Sequence, residues 1–464
     1  MIDRLASGVD GLDHVLAGGL TPSSIALISG APGSGKTILA QSYVFENAST
    51  AHPAVYLSTV SEPFDKILRF GQQLDAFDVD LVGTAVFYED LGHALVTDGL
   101  DGVLAIIDGV LTGRRPSMLV IDSFKALAAF AGSDAGYRRF LHDLAGRLTA
   151  LPLAALWIGE YEASDVAVCP EFAVADTVVH LGTRRTADRE ERRLSVLKHR
   201  GSGFAAGEHA YRIGPSGLRV FPRLADVGDP SPYAEAPGRD STGIPALDDA
   251  LHDGYFPGSA TLVVGPSGVG KTLMGLHFLY SGAAGGEPGI LATLQENPVH
   301  LSRIVAGFGW STDDPLVEIM SRSPVDLYLD EWVYDLLDTV ERTGARRVVI
   351  DSIGDLLLAA TDQMRFREYM YSLLQRFSRM GVSCLMTLEL PELFRTTRIG
   401  ELGMSHLSDN VVLLQHVIDG STIARGLAVL KSRGSDHDAR IREFRITPDG
   451  IVLGDPFAGQ PFST

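Results

Sequence analysis

The sequence predicts an α/β protein built as two tandem domains, each a mostly parallel sheet covered by helices on both faces. Three observations carry that expectation: two glycine-rich loop motifs, an internal repeat running through the chain, and short apolar runs alternating with runs of helical periodicity. The motifs are GAPGSGKT, beginning at Gly30, and GPSGVGKT, beginning at Gly265. Both fit G-x-x-x-x-G-K-[ST], and each lies between an apolar run and an amphipathic one, the strand–loop–helix setting a phosphate loop needs.

In chain order, residues 25–29 and 260–264 read as buried strands, and 36–48 and 271–282 as the helices that follow the loops. Successive backbone N–H groups at such a helix start form a nest for the phosphates of a nucleotide. The expected contacts are therefore Gly30, Gly33, Ser34, Gly35, Lys36 and Thr37, with Gly265, Gly268, Val269, Gly270, Lys271 and Thr272 in the second copy. The two lysines bring positive charge to ATP, and the two threonine hydroxyls suit Mg2+. A strand (55–58; 290–293) and a helix (about 62–73; 297–308) come next. The runs MLVID and RVVID then end in Asp122 and Asp351. A carboxylate at the end of a buried strand beside the loop is placed to hold Mg2+. Because Ser follows both, an Asp capping the next helix is the alternative, which the upstream loops outweigh. The apolar run 151–159 reads as a further buried parallel strand.

The repeat fixes the organisation. A shift of 235 positions, Lys36 to Lys271, lays Ser7-Gly8-Val9-Asp10-Gly11-Leu12-Asp13 over Thr242-Gly243-Ile244-Pro245-Ala246-Leu247-Asp248. Further on, a shift of 233, Asp176 to Asp409, lays Lys198-His199-Arg200-Gly201 over Lys431-Ser432-Arg433-Gly434. The stretch 226–240, rich in Pro, Gly and charge, reads as a linker. The expected boundaries are 1–228 and 241–450 for the domains, 229–240 for the linker and 451–464 for a short tail.

Composition narrows the function. With 58 acidic and 39 basic residues the net charge is −19. A chain that follows a nucleic-acid backbone carries a basic stripe, whereas here the densest basic stretch, 184–200, is interleaved with acids and reads as a polar hairpin at a subunit contact. Nucleic acid is disfavoured. No run approaches the roughly 18 apolar residues of a membrane span, and the opening segment belongs to the repeat rather than to a leader. Two distant cysteines, Cys169 and Cys384, fit inert core thiols in a reducing cytoplasm.

Neither aspartate is followed by Glu, so the group that activates water must lie elsewhere. In RecA-like ATPases it follows the strand after the loop helix. There the chain has Ser61-Glu62 and Gln295-Glu296, which makes Glu62 and Glu296 the candidate bases. Each also suits the first turn of the next helix.

These features resemble the KaiC family, double-domain RecA-like ATPases and autokinases of the circadian clock. The likeness rests on the tandem loops, the S/T-G-x-x-x-L-D openings, the Glu after the second strand, and Lys431-Ser432-Arg433-Gly434-Ser435-Asp436-His437-Asp438 with Ile441-Arg442-Glu443-Phe444 after it. The resemblance implies a double-ring homohexamer with ATP and Mg2+ between subunits. Lys198 and Arg200, and Lys431, Arg433 and His437, would then reach a neighbour's phosphates. It also maps the family's phosphorylated Ser-Thr pair onto Ser405-His406, with Ser408 a second candidate acceptor. The chain departs from the family in places. Gln295 stands where the family has a glutamate, and Gln orients a water but takes no proton. Phe204 fills the place of His437 in the first half. Only 14 residues follow Gly450, fewer than in the regulatory tail of clock proteins. A stress or signalling role with partner proteins is thus as consistent as a clock role. Two other classes compete: a DNA-dependent RecA- or DnaB-type motor, and a non-catalytic ATP-dependent switch.

Overall fold

A computed structural model describes residues 4–60, 64–186, 189–224, 233, 237–325, 327–360, 362–390, 404–419 and 422–457. The chain divides into two compact units, Met1–Arg223 and Leu224–Thr464. Most of the expected linker, 229–240, and residues 458–464 of the expected tail lie outside the described residues.

The first unit is built on a nine-stranded sheet. Its strands in chain order are β1 (Ser24–Gly30), β2 (Ala54–Ser58), β3 (Val86–Asp90), β4 (Met118–Asp122), β5 (Ala154–Gly159), β6 (Thr177–Thr186), β7 (Arg189–His199), β8 (Glu208–Gly214) and β9 (Gly217–Phe221). Their spatial order is β3-β2-β4-β5-β1-β6-β7-β8-β9. The first six run parallel and the last three are added antiparallel. In the second unit the strands are β10 (Ala260–Gly265), β11 (Gly289–Thr293), β12 (Val317–Ser321), β13 (Arg347–Asp351), β14 (Ser383–Glu389), β15 (Asn410–Asp419), β16 (Thr422–Ser432), β17 (Arg442–Thr447) and β18 (Gly450–Pro456). The order β12-β11-β13-β14-β10-β15-β16-β17-β18 repeats that of the first unit strand for strand.

The apolar runs become strands because both faces are covered. All seven residues of β1 are buried. Alternate side chains enter opposite cores, as the period of two in a strand requires. Ala26 and Ile28 join Leu39, Tyr43 and Val44 of the helix Lys36–Asn47, while Ile25 and Leu27 join Phe140, Leu141 and Leu144 of the helix Asp134–Thr149. The second unit repeats the division, with Leu262 and Val264 in one core and Val263 in the other.

Some boundaries differ from the sequence reading. The loop helices span Lys36–Asn47 and Lys271–Ala284, and the next helices Phe64–Gly71 and Pro298–Gly307. The run 151–159 enters the sheet only at Ala154, since Pro152 has no N–H for a ladder. The stretch 184–200 does form a hairpin arm, β6 paired with β7. Cys384 is a buried free thiol, and Cys169 is a partly buried one packed against the core of the first unit.

Candidate nucleotide site

Each phosphate loop leaves the carboxyl end of the central strand, where a parallel sheet offers its ligand crevice. Backbone geometry requires the glycines. A Cβ on Gly30 would sit 2.3 Å from the Leu181 carbonyl oxygen, and one on Gly265 would sit 2.4 Å from that of Leu414. Gly35 and Gly270, just before the helices, are left-handed at φ 94° and 119°. Ser34 and Val269 occupy the same loop position and are both buried.

The catalytic-type side chains converge as the motifs imply. Lys36 Nζ donates to the Ala31 carbonyl across 2.8 Å, and Lys271 Nζ to that of Pro266 across 2.8 Å. Burial lowers both ammonium pKa values, against the raising effect of Glu160 and Asp122 on one and of Glu389 and Asp351 on the other. Thr37 Oγ1 donates to Asp122 Oδ2 across 3.0 Å, and Thr272 Oγ1 to Asp351 Oδ2 across 2.7 Å. The other supports of the aspartates differ. Asp122 accepts from Tyr56 at 2.6 Å, whereas Asp351 accepts from Thr387 on β14. In both units the peptide after the aspartate is cis.

A cavity of about 940 Å³ opens on the first loop, lined by Gly33, Lys36, Thr37, Asp122, Glu160 and Ile213 among others. The antiparallel strands support this loop: Tyr211 donates to the Ser34 carbonyl at 2.7 Å and Arg192 to that of Gly33 at 2.8 Å. A nest of loop N–H groups, a buried lysine and an adjacent hydroxyl–carboxylate pair fit a nucleotide triphosphate with a hard, oxygen-seeking cation such as Mg2+.

Glu62 is outside the described residues. Glu296 is partly buried, and its backbone N–H donates to Thr293 Oγ1 at 3.2 Å. The Gln295 amide donates to Asp355 at 2.5 Å and to Ser352 at 3.4 Å.

Lys198 and Arg200 do not line the cavity of their own unit. Lys198 instead donates to the carbonyls of Phe172, Ala173 and Ala175, at the end of the short helix Glu171–Val174. Arg200 pairs with Asp176 at 3.3 Å. The second unit is alike, with Lys431 on the Ser408 carbonyl at 2.6 Å and Arg433 on that of His406 at 3.2 Å. The His437 backbone N–H donates to Asp436, and the residue is partly exposed.

Ser405 lies in the helix Met404–Leu407, and its side chain is outside the described residues. Ser408 is fully buried. A buried hydroxyl is not offered to a phosphoryl group brought by another chain, which removes Ser408 as an acceptor in this conformation.

Sequence reasoning passed over Tyr56, Thr387, Arg192, Glu160 and Glu389. A shift of 229, Asp122 to Asp351, would have laid Glu160 on Glu389 and drawn attention to both.

The family model described as "ATPase: KaiC" matches residues 5–225 and again 241–456. Among curated relatives, the circadian clock protein KaiC3 of Synechocystis sp. is 29% identical, covering 100% of this chain and 95% of that protein. The circadian clock oscillator protein KaiC of Prochlorococcus marinus is 28% identical, covering 98% of this chain and 93% of that protein. KaiC 1 of Synechocystis sp. is 26% identical over 98% and 90%.

Proposed function

This chain belongs to the KaiC family of ATPases, and from that premise we propose that it binds and hydrolyses ATP in each unit as a self-assembled ring that also phosphorylates itself on serine. The observation that carries the reading is the duplicated cradle, Lys36–Thr37–Asp122 and Lys271–Thr272–Asp351, with one geometry in two copies. Once phosphates enter, each lysine exchanges a loop carbonyl for a phosphate oxygen. Thr37 with Asp122, and Thr272 with Asp351, would hold Mg2+. A cation held there would offset charge on the phosphates.

Lys198 and Arg200, and Lys431, Arg433 and His437, serve a neighbouring subunit's nucleotide. Their absence from the first unit's own cavity supports that reading for the first pair, because cations that arrive only on assembly couple turnover to the ring. Ser405 is the acceptor in the second unit. A ring of this kind suits a regulatory role, in timing or in signalling to partner proteins. Among the described residues no helix is long and apolar enough to cross a membrane, and the charge of −19 speaks against a nucleic-acid track.

A second reading, a nucleotide switch with little turnover, is favoured by one observation. Gln295 replaces a carboxylate, and its amide is held by Asp355 and Ser352. Phosphate release together with intact-mass analysis after incubation with ATP and Mg2+ separates the two. Released phosphate and added mass at Ser405 support the first reading. Retained ATP with an unmodified chain supports the second.

A further inference from the structure

Each phosphate loop faces a second carboxylate besides the aspartate, from the same place in the repeat. β5 runs parallel to β1 with Gly159 opposite Ser29, so Glu160 follows abreast of Gly30, the first loop glycine. β14 runs parallel to β10 with Glu389 opposite Gly265, the same glycine of the second loop. Glu160 lines the first cavity together with Lys36, Thr37, Asp122 and Ser123. Its charge, with that of Asp122, raises the Lys36 ammonium pKa against the lowering by burial, and Glu389 acts with Asp351 on Lys271 in the same way. Both glutamates are exposed, so water reaches them.

Directly after the neighbouring strand, the described residues Thr59 and Val60 of the first unit and Gln295 of the second carry no carboxylate. In the second unit Gln295 has an amide already committed to Asp355 and Ser352. In the first unit Thr59 exchanges hydrogen bonds with the Ser123 backbone, and Val60 is apolar and exposed.

We propose that Glu160 in the first unit, and Glu389 in the second, is the base that takes the proton of the attacking water. The water oxygen bonds to the γ-phosphorus as the bond from that phosphorus to the ADP oxygen breaks. The water proton passes to a carboxylate oxygen of the glutamate and from there to solvent, and the lysine meets the charge left on ADP. The assignment rests on the ATPase reading above and stands there against Glu62 and Glu296.

The test uses the full chain with Lys271→Ala, so that only the first site turns over, alone and combined with Glu160→Gln or Glu62→Gln. Phosphate release, its pH profile and equilibrium binding of a fluorescent ATP analogue are measured together. The expected result is a loss of about 100-fold or more in phosphate release for Glu160→Gln, with the acid limb of the pH profile gone and analogue affinity unchanged. Three outcomes overturn the assignment alone while turnover persists: full activity in Glu160→Gln, loss confined to Glu62→Gln, or a loss explained by weaker binding. A Lys271→Ala protein that binds the analogue yet releases no phosphate, when the unsubstituted chain is also inactive, overturns the ATPase reading along with it.

Discussion

Thr272 donates its hydroxyl to Asp351 across 2.7 Å, the oxygen pair a Mg2+ ion would share. Asp351 is almost fully buried, and its other partner is Thr387. The carboxylate is therefore held in place before any cation arrives. Such preorganisation leaves little ordering cost to the binding step.

Thr272→Val removes one of those oxygens while keeping the shape. The half-maximal Mg2+ concentration for ATP binding in the second unit is expected to rise about tenfold, which corresponds to roughly 1.4 kcal/mol. The nucleotide-free protein loses a charge-assisted hydrogen bond worth roughly 1.5–3 kcal/mol. Mg2+ titrations and thermal melts check both effects. An unchanged Mg2+ dependence would remove Thr272 from the cation site.

Lys36 carries the opposite balance. Its ammonium is buried and its pKa lowered, chiefly by desolvation. Between the folded and unfolded pKa the unfolded chain holds the extra proton, so stability rises with pH through that window. Below the folded pKa, the cost of burying the charge is present in full. Lys36→Met is thus expected to raise the melting temperature of the nucleotide-free first unit at neutral pH. The gain should shrink as pH approaches that of free lysine, and stabilisation by ATP should vanish. Calorimetry at pH 7 and pH 10 checks the sign.

His277 makes the second unit acid-sensitive. The residue is buried in the loop helix, where Nε2 accepts from the Ile451 N–H at 3.0 Å, so the ring must be neutral at that nitrogen. Desolvation lowers its pKa below that of an unfolded histidine, partly offset by a hydrogen bond to the Gly243 backbone. As pH falls through about 6.5 the unfolded chain gains a proton that the folded one does not, so stability falls, by up to about 1.4 kcal/mol per pH unit. His277→Gln keeps an acceptor without the titration. Its melting temperature is expected to fall less from pH 7 to 5.5 than that of the parent, the remaining fall coming from groups such as His416, whose pKa burial also lowers.

The sheet's parallel half was legible because burial on both faces writes continuous apolar runs, as at Ile25–Leu27 and Val348–Ile350. Lys36 and Thr37 were legible because the motif fixes their spacing, Asp122 because it ends a buried apolar run, and the repeat gives each a second witness. The antiparallel strands β8 and β9 were not, since they are short and polar residues such as Arg212 and Arg219 interrupt their pattern. Glu160 was hidden for another reason. No local spacing links it to Lys36, and only the register of β5 against β1 brings the two to one crevice. Tyr56 lies within a strand, where nothing in the local pattern marks its hydroxyl as the donor to Asp122.

Whether Lys431 and Arg433 serve a neighbour is decided by mixing subunits. Lys431→Ala/Arg433→Ala chains keep their own loop but lack the donated cations, and Lys271→Ala chains keep the cations but lack a working second loop. Each alone is expected to lose second-unit hydrolysis by about 100-fold or more, the scale of removing charge stabilisation from a phosphoryl transfer. In a head-to-tail ring formed from an equal mixture, about a quarter of the interfaces pair an intact loop with intact cations. Hydrolysis and phosphate at Ser405 should reappear in the mixture at about that fraction. If the cations acted within their own chain, no interface would combine both intact parts. The mixture would then show no phosphate release beyond the first-unit turnover of its components and no added mass at Ser405.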